Sequence, residues 1–316
     1  MKDRVLLRGL QSEQYEHPVD REALNTLKKM PALGLAVSKI NEIGLDEILH
    51  LHSLANKIRV SSAQFMELNG LFCEVKDTLS VQCDVELYVE QAFSLNAYTT
   101  GVVHRQVTIT TELISALEES ELRFVIGHEL GHIKSEHVLY HQIGRYLPSI
   151  LSIVGEMTLG LGRLIGTGFQ VALFDWIRKS ELSADRAGLL ACQDPFAAYS
   201  TFCKLAGVPP EWFTRVNMEA IERQVAEYER LTGEARTKFY GYFGQMFNTH
   251  PWLIIRFNEL SKWIRDGSYE RVVSEFRSVE VPTGNEVLSN CPICNQPRSS
   301  GFTFCIFCGH NFERIQ

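Results

Sequence analysis

The chain carries the stretch LRFVIGHELGHI at residues 122–133, and this stretch decides the fold and the chemistry that we expect. Its apolar residues recur with a helical period, so the stretch predicts a helix. Because His128 and His132 lie four residues apart, they project from one face of that helix. Two histidines at this spacing can bind one Zn²⁺, and Glu129 between them is placed to act as a general base.

The residues before this stretch indicate where the helix begins. The run Glu118–Glu121 places acids at the expected N-terminus, where negative charge stabilises a helix. Ser120 is not expected to form a capping box, because the residue three positions later is Arg123. Gly127 and Gly131 each weaken a helix by about 1 kcal/mol relative to alanine. We therefore expect either another element packed against these two glycines or a close approach of the backbone to the zinc.

A third zinc ligand is needed, because a catalytic zinc is held by three protein side chains and keeps one position open. Glu181 is the best candidate, and it shares a helix face with Asp185, four residues later. Glu181 would bind the metal, and Asp185 would hold a ligand histidine through its other ring nitrogen. The alternative is a solvated acidic face on a surface helix. The small residues at 183, 184, 187 and 188 favour a packed helix and hence the metal site.

These motifs resemble those of the gluzincin metallopeptidases of the HtpX and CAAX-prenyl-protease type. The resemblance rests on His128–His132 and on Glu181 with Asp185. Two weaker segments add to it through their order: Asn96-Ala97-Tyr98-Thr99 before the zinc helix, and Thr249-His250-Pro251 followed by Arg256. The resemblance covers roughly residues 65 to 265 of the chain.

The resemblance implies a zinc-dependent endopeptidase that acts on protein or peptide substrates. An edge strand at Asn96, Ala97 and Tyr98 would bind an extended substrate through main-chain hydrogen bonds. His250 would lie near the zinc and share the charge of the oxyanion. From the residues alone, a histidine before proline could equally be a surface residue. Arg256 would either anchor a carboxylate of the site or lie at the surface.

Two more histidines, His137 and His141, follow the zinc helix at a spacing of four residues. They could bind a second metal, but no second acidic pair lies nearby. We therefore expect them to be structural or exposed.

The C-terminus carries a second metal motif. Two Cys-x-x-Cys pairs, Cys291 with Cys294 and Cys305 with Cys308, give the four thiolates of a tetrahedral structural zinc. The alternative is a pair of disulfides. Because no secretory signal opens the sequence, a reducing compartment and hence the metal are favoured. We expect two zinc ions per chain, one catalytic and one structural.

The predicted ribbon, residues 291–316, has little of the charge that a nucleic-acid partner requires. Its charged residues are Arg298, Glu313 and Arg314, whereas phenylalanines stand at 302, 304, 307 and 312. The whole chain is acidic, with a formal net charge of −7, so a basic footprint is missing. We expect the ribbon to dock on protein, either the chain's own catalytic domain or a partner, and we do not expect nucleic acid.

The composition predicts a globular protein, because 45% of the 316 residues are hydrophobic and 22% charged. The expected fold class is α+β and mainly helical. Helical spacing dominates residues 1–80 and recurs at 216–236 and 252–276. Strands are predicted at Val85–Val89, Ser94–Thr99 and Val107–Thr110, forming a small antiparallel or mixed sheet. The expected organisation is a gluzincin metallopeptidase domain over 1–280, a linker over 281–290 and the zinc ribbon over 291–316. Within the first domain, about 1–80 is a helical N-terminal part and about 81–265 the catalytic core.

Residues 146–174 are apolar and rich in glycine, with only Glu156 and Arg163 as charges. The uncharged runs fall short of the roughly 18 apolar residues that a membrane span needs. Both charges would be costly at a bilayer centre. We therefore expect two helices packed on the catalytic domain, and a soluble, cytoplasmic protein. Attachment to a membrane surface is the alternative.

The sequence thus predicts a zinc endopeptidase in which Glu129 deprotonates the attacking water. One alternative is a catalytically idle domain whose ribbon recruits partners. Against this, none of the motif residues is degraded. The other is a membrane-attached quality-control protease in which residues 146–174 insert as a hairpin.

Overall fold

A computed structural model describes residues 4–157, 167–233 and 252–277, without the side chains of 148–157, 167 and 232–233. The helices in these ranges are α1 (Pro18–Lys28), α2 (Pro31–Glu42), α3 (Leu45–Asn56), α4 (Met66–Thr78), α5 (Thr111–Ala116), α6 (Glu119–Lys134), α7 (Val138–Met157), α8 (Thr167–Cys192), α9 (Pro195–Leu205), α10 (Met218–Gly233), α11 (Leu253–Arg265) and α12 (Ser268–Arg277). The strands are β1 (Ile58–Arg59), β2 (Glu86–Glu90), β3 (Ala97–Thr100) and β4 (Gln106–Thr110). The chain is therefore mainly helical, as predicted.

The four strands form a mixed sheet in the order β1-β2-β4-β3. β2 runs parallel to β4, whereas β1 and β3 are antiparallel to their neighbours. All five residues of β4 are buried, because this strand lies inside the sheet. β3 is an edge strand of the sheet in the described part of the chain, with Tyr98 opposite Thr108.

Helices α6 and α8 pack more closely than ordinary side chains allow. A Cβ atom added at Gly127 would lie 2.3 Å from the Cβ of Ala191, and one at Gly131 would lie 2.6 Å from the Cβ of Ala187. On α8, a Cβ at Gly188 would lie 2.7 Å from a backbone oxygen of α6. The glycines are therefore required for this contact, which agrees with the close packing expected from the sequence.

Two apolar cores flank the α6–α8 pair. The larger core joins the sheet to α4, α6, α9, α11 and α12. The second core lies between the N-terminal helices α1 to α3 and the described parts of α7 and α8, around the fully buried Trp176. The N-terminal helices are therefore packed against α8, one of the two helices that carry the predicted metal site.

Helix α6 begins earlier than the Ser120 signal suggests. Glu118 is the N-cap, and the carboxylate of Glu121 accepts a hydrogen bond from the backbone N–H of Glu118 at 2.7 Å. A capping box is thus present at the start of α6, contrary to the expectation. Glu118 and Glu121 form it, two residues earlier in the chain than a box of Ser120 and Arg123 would lie.

The helix predicted over residues 252–276 is interrupted. α11 ends at Arg265 and α12 begins at Ser268. Between them Gly267 adopts a φ of +78°, a left-handed conformation that ends a helix and that glycine adopts without strain.

The apolar segment 146–174 lies on α7 and α8 where the structure describes it, which agrees with the expectation of two helices. α8 then continues without a break to Glu181 and Asp185. Among the described residues, none of the helices combines the length and the apolar character needed to cross a membrane.

Candidate metal centre

Three donor atoms from α6 and α8 converge in a buried pocket. The Nε2 atoms of His128 and His132 lie 3.2 Å apart. The carboxylate oxygens of Glu181 lie 3.5 Å from His128 Nε2 and 3.3 Å from His132 Nε2. The histidines are each 4% exposed and Glu181 is 0% exposed. The structure thus brings together the three ligands predicted from the sequence.

The spacing of these donors fits a zinc ion. Zinc binds histidine nitrogen and carboxylate oxygen at about 2.0–2.2 Å, so a tetrahedral arrangement separates two ligand atoms by about 3.3–3.6 Å. Two imidazole lone pairs and a carboxylate facing one another in a dry pocket are electrostatically costly unless a cation lies between them. Two histidines and one glutamate also leave one tetrahedral position open, as in catalytic zinc sites.

Protons compete with a metal for His128. Burial lowers the pKa of His128, but the hydrogen bonds and charges of Asp185 and Glu181 outweigh burial and raise this pKa to about 9. Burial is the main cause that lowers the pKa of His132. Metal binding at this site therefore releases a proton from His128.

Asp185 contacts His128 at Nδ1, the ring nitrogen that does not face the other donors, and Arg256 contacts Asp185. His128 Nδ1 lies 3.0 Å from Asp185 Oδ1, so a proton on Nδ1 can be donated there while Nε2 keeps its lone pair. Arg256, on α11, donates to Asp185 from Nε at 2.8 Å and from Nη2 at 2.6 Å, and its Nη1 lies 3.0 Å from Glu181. Burial would raise the pKa of Asp185, but Arg256 and His128 outweigh it and lower that pKa. Arg256 is 3% exposed and is therefore not a surface residue.

His132 is supported by a longer chain of groups. Its Nδ1 lies 3.1 Å from His137 Nδ1, and His137 Nε2 lies 3.3 Å from Asp20 Oδ2 on α1. Asp20 is 1% exposed and also accepts hydrogen bonds from Trp176 Nε1 at 2.8 Å and from Ser183 Oγ. These contacts connect the N-terminal helix to the metal centre.

His137 and Asp20 were not predicted as parts of this site. After α6, Glu136 adopts a φ of +57°, and the N–H of His137 donates to the carbonyl of His132 at 2.9 Å. This left-handed residue folds the chain back, so that His137 lies beside His132. Because a turn makes the contact, helical spacing carries no signal for it, and Asp20 is too distant in sequence for any local pattern.

His141 lies near the same centre but bonds elsewhere. Its Nε2 lies 2.8 Å from Ser180 Oγ. Within the described ranges, the cluster of His128, His132 and Glu181 is the one donor group spaced to hold a metal.

Glu129 lies between the metal donors and strand β3. It is 1% exposed, and its carboxylate accepts a hydrogen bond from Thr99 Oγ1 at 2.6 Å. Thr99 therefore fixes the carboxylate of Glu129 at the edge of the sheet. The sequence analysis quoted Thr99 within its edge strand but gave it no role, since a threonine in a strand carries no signal of its own.

A cleft opens beside Glu129 and His132. β3 forms one wall with residues 98–100, and the start of α7 forms the other with Val138, His141, Gln142 and Arg145. The extended edge strand and the metal donors thus lie on one cleft.

Of the three residues predicted to bind substrate, Tyr98 lines the cleft, whereas Asn96 and Ala97 are not among the residues that line it. Tyr98 lies on the cleft. Asn96 is held to the end of β4, since its N–H donates to Thr110 Oγ1 at 3.1 Å and its carbonyl accepts from Thr110 N at 3.0 Å. Ala97 begins β3 and is 3% exposed. Asn96 therefore anchors the strand in this structure.

Several predicted site residues lie outside the described residues. These are His250 and the four cysteines Cys291, Cys294, Cys305 and Cys308, together with the linker 281–290.

Comparison with known proteins gives a family match. The model of peptidase family M48 matches residues 67–264, a range that contains the metal donors, Glu129, Asp185 and Arg256. The family uses zinc, and the two histidines and the glutamate supply a suitable donor set.

Individual relatives agree with the family. The chain is 27% identical over 271 residues to the plastoglobule-localized metallopeptidase 48, chloroplastic, of Arabidopsis thaliana, covering 85% of this chain and 77% of the relative. It is 24% identical over 266 residues to a protease HtpX homolog of Paraburkholderia phytofirmans, covering 75% and 90%. It is 28% identical over 190 residues to a protease HtpX homolog of Tropheryma whipplei, covering 52% and 62%. No solved structure matches the chain.

The comparisons correct the prediction of a soluble, cytoplasmic protein, which is wrong. The relative that matches 85% of this chain is plastoglobule-localized and chloroplastic by its name. The prediction rested on the short uncharged runs of residues 146–174. Such runs bear on crossing a membrane and carry no information about the compartment.

The matched relatives are named as proteases or metallopeptidases, which does not favour the idle adaptor. Their activity implies protein or peptide substrates. With the family match over residues 67–264 and the donor set in place, the chain belongs to peptidase family M48 and is a zinc-dependent metalloprotease.

Proposed function

We propose that His128, His132 and Glu181 bind the zinc and that Glu129 is the general base of an endopeptidase. The observation that carries this proposal is the convergence of three buried donors, 3.2–3.5 Å apart, beside a fourth carboxylate on the wall of a cleft. Glu129 adjoins His128 on α6 and faces that cleft.

The bound zinc would polarise the scissile carbonyl and make the attacking water more acidic. Glu129 accepts a proton from that water and later donates it to the leaving amine. The hydroxyl of Thr99, 2.6 Å from the carboxylate of Glu129, keeps that carboxylate oriented between the water and the substrate. Burial of Glu129 excludes other water from its carboxylate.

The substrate would bind as an extended strand along β3. Among the described strands, β3 pairs with β4 on one side, so its other side can accept a further strand. Thr99 then links the bound peptide to the base, because it lies on β3 and bonds Glu129. Tyr98 contributes its ring to the cleft wall, whereas Asn96 and Ala97 act by fixing the start of the strand.

His250 would share the charge of the oxyanion. Support comes from its place in the chain, since it precedes α11 and Arg256 on α11 is bonded to Asp185 and Glu181 of the metal centre. Asp185 and Arg256 would hold His128 and Glu181 in position without touching the substrate.

The domain organisation is part of the proposal. The metallopeptidase domain covers residues 1–280, because α12, which ends at Arg277, still packs in the large core through Val272 and Val273. The linker at 281–290 then leads to a ribbon in which Cys291, Cys294, Cys305 and Cys308 bind a structural zinc. The ribbon would dock on protein.

The experiment is the Glu129→Gln variant, compared with wild type for zinc content and for cleavage of a denatured protein mixture. The base is lost but no ligand is, so zinc content should be unchanged while cleavage falls by several orders of magnitude. Glu119→Gln is the control, because Glu119 lies on the same helix and pairs with Arg123 away from the cleft. Near wild-type cleavage by Glu129→Gln would refute the assignment of the base.

A further inference from the structure

We infer that Asp20 and His137 are positioning residues of the metal centre, holding His132 in the tautomer that presents Nε2 to the metal. The inference rests on the zinc site proposed above and adds a support that begins on α1. Three contacts carry it: Asp20 with His137 at 3.3 Å, His137 with His132 at 3.1 Å, and His132 with Glu181 at 3.3 Å.

When His132 binds the metal through Nε2, its ring proton lies on Nδ1 and can be donated to Nδ1 of His137. His137 then carries its own proton on Nε2, which it donates to the carboxylate of Asp20, a group that can only accept. The contacts thus support the tautomer of His132 that presents Nε2 toward His128 and Glu181.

Hydrogen bonds from two other side chains fix the position of the Asp20 carboxylate. It accepts hydrogen bonds from Trp176 Nε1 at 2.8 Å and from Ser183 Oγ, in addition to the contact with His137. Trp176 is fully buried in the second core, so the position of the carboxylate is tied to the packing of α1 on α8.

The two ligand histidines are thus supported in parallel ways. Asp185 contacts His128 directly and is anchored by Arg256. Asp20 acts on His132 through His137 and is anchored by Trp176. Because Asp20 precedes the family match at residues 67–264, an element outside the matched range completes the metal centre of this chain.

The test is a double-mutant cycle on zinc affinity, measured by chelator competition with zinc alone. Its four proteins are full-length wild type, Asp20→Asn, His137→Ala and the double variant. Each single change should weaken zinc binding by about 10–100-fold. If Asp20 acts through His137, the double variant should bind zinc within about 3-fold of His137→Ala. Asp46→Asn is the control, since Asp46 holds backbone N–H groups of residues 103 and 104 from the N-terminal helix α3.

His137→Asn gives a second readout that a purely structural role would not produce. Its side-chain oxygen stands where Nδ1 of His137 stands and can accept from His132, so zinc affinity should recover relative to His137→Ala. If His137→Ala does not fold, the zinc affinity of Asp20→Asn alone still tests the inference. The inference would be overturned if Asp20→Asn bound zinc as tightly as wild type. It would also be overturned if the losses of zinc affinity in the two single variants multiplied in the double variant. Loss of zinc in His128→Ala tests the proposed site separately.

A different observation points to a carboxylate-binding subsite on α7, and this second inference also rests on the proposed function. We propose that Gln142 and Arg145 bind a substrate carboxylate. Both line the cleft beside Glu129, one helical turn apart. Gln142 is 2% exposed, and its Nε2 has no hydrogen-bond partner in the part of the chain that the structure describes. A buried donor of this kind costs free energy until something accepts from it.

The charge around these donors favours an anion. The guanidinium of Arg145 lies 5.0 Å from the centre of the Tyr98 ring, and Lys57 Nζ lies 4.9 Å from the same ring. The nearby carboxylate of Glu90 already accepts from the Tyr98 hydroxyl. Arg145 is exposed and lines the cleft, so its guanidinium can form a bidentate pair with a substrate carboxylate there.

The carboxylate could belong to an acidic side chain or to the end of a peptide. Matched peptides with Glu or Gln at each position, and with a free or amidated C-terminus, separate these sources. In one of these pairs, we expect the peptide with the carboxylate to be cleaved with a kcat/KM about 10-fold higher than that of its uncharged partner. Arg145→Gln and Gln142→Leu should each bring this ratio of kcat/KM values toward one. Arg223→Gln on α10 should keep the ratio. Cleavage without any acid preference would overturn the subsite, whereas no cleavage of any peptide would overturn the proposed function.

Discussion

At the residue scale, the two acids of α8 have different relations to the metal. Glu181 points its oxygens at the Nε2 atoms of both histidines, whereas Asp185 contacts His128 at the opposite ring nitrogen. Both are fully buried or nearly so, and Arg256 contacts both. We therefore propose that Glu181 binds the metal and that Asp185 supports His128.

Replacing these two acids should separate the roles. Glu181→Ala should abolish zinc binding at this site, because a ligand is lost. Asp185→Asn should retain zinc with an affinity about 10–100-fold weaker, the usual cost of losing a group that orients a ligand. Zinc titration of each purified variant measures the difference. Asp175→Asn is the matched control on the same helix, since Asp175 pairs with Lys179 away from the site. Equal loss of zinc in both variants would mean that the ligand is misassigned.

Much of this site could be predicted from the sequence, because its main parts are local. His128, Glu129 and His132 follow from one helical turn, and Glu181 with Asp185 from another. Thr99, His137 and Asp20 could not be predicted, because a strand edge, a left-handed turn and a distant helix bring them in. Arg256 remained ambiguous, since only the fold reveals its burial.

At the element scale, the contact between α6 and α8 builds the metal centre, because each helix contributes ligands to it. The glycines of α6 set the distance between the helices, and they also weaken α6 by about 1 kcal/mol each. The close contact compensates for this weakness, since the Cβ atoms of Ala187 and Ala191 occupy the space above Gly131 and Gly127.

Gly127→Ala should therefore destabilise the protein although alanine is the better helix former. The new Cβ would lie 2.3 Å from the Cβ of Ala191, and overpacking of this kind costs about 1–3 kcal/mol, more than the gain in helix propensity. The free energy of unfolding in urea measures the effect, and Ala191→Gly should restore stability in the variant. Gly70→Ala on α4, where a Cβ meets nothing within 4 Å, should instead stabilise by up to about 1 kcal/mol. A Gly127→Ala protein as stable as wild type would refute the packing argument.

The element boundaries were harder to predict than the elements. The edge strand, the buried strand β4 and the zinc helix are where periodicity predicts them. The cap of α6 and the break at Gly267 differ, because both depend on single residues: Glu121 bonding back to Glu118, and one glycine with a positive φ.

At the scale of the whole molecule, the N-terminal helices pack on helices next to the metal centre. Asp20 on α1 contacts His137, which contacts His132, and the second core joins α1 to α3 with α7 and α8. Length and apolar content predicted a large domain with an appendage. They could not predict that the N-terminal helices take part in the site, because that depends on long-range contacts.

Truncation after Asn285 should leave the catalytic unit intact. The shortened protein should keep one zinc per chain, whereas we expect two in the full chain, and it should still hydrolyse short peptides, because no proposed catalytic residue is removed. The choice or rate of protein substrates should change, since the ribbon's phenylalanines suit docking. Elemental analysis with peptide and protein assays measures both. Loss of the catalytic zinc on truncation would show that the ribbon is part of the active domain.

The central claim is that α6 and α8 together bind a catalytic zinc, and one measurement tests it most directly. Crystals of the zinc-loaded protein, with diffraction recorded on both sides of the zinc absorption edge, locate the ion by its anomalous difference density. The account predicts a peak about 2.0–2.2 Å from His128 Nε2, His132 Nε2 and a carboxylate oxygen of Glu181. A fully loaded protein with no peak between these three residues, or with its peak bound by other side chains, would contradict it.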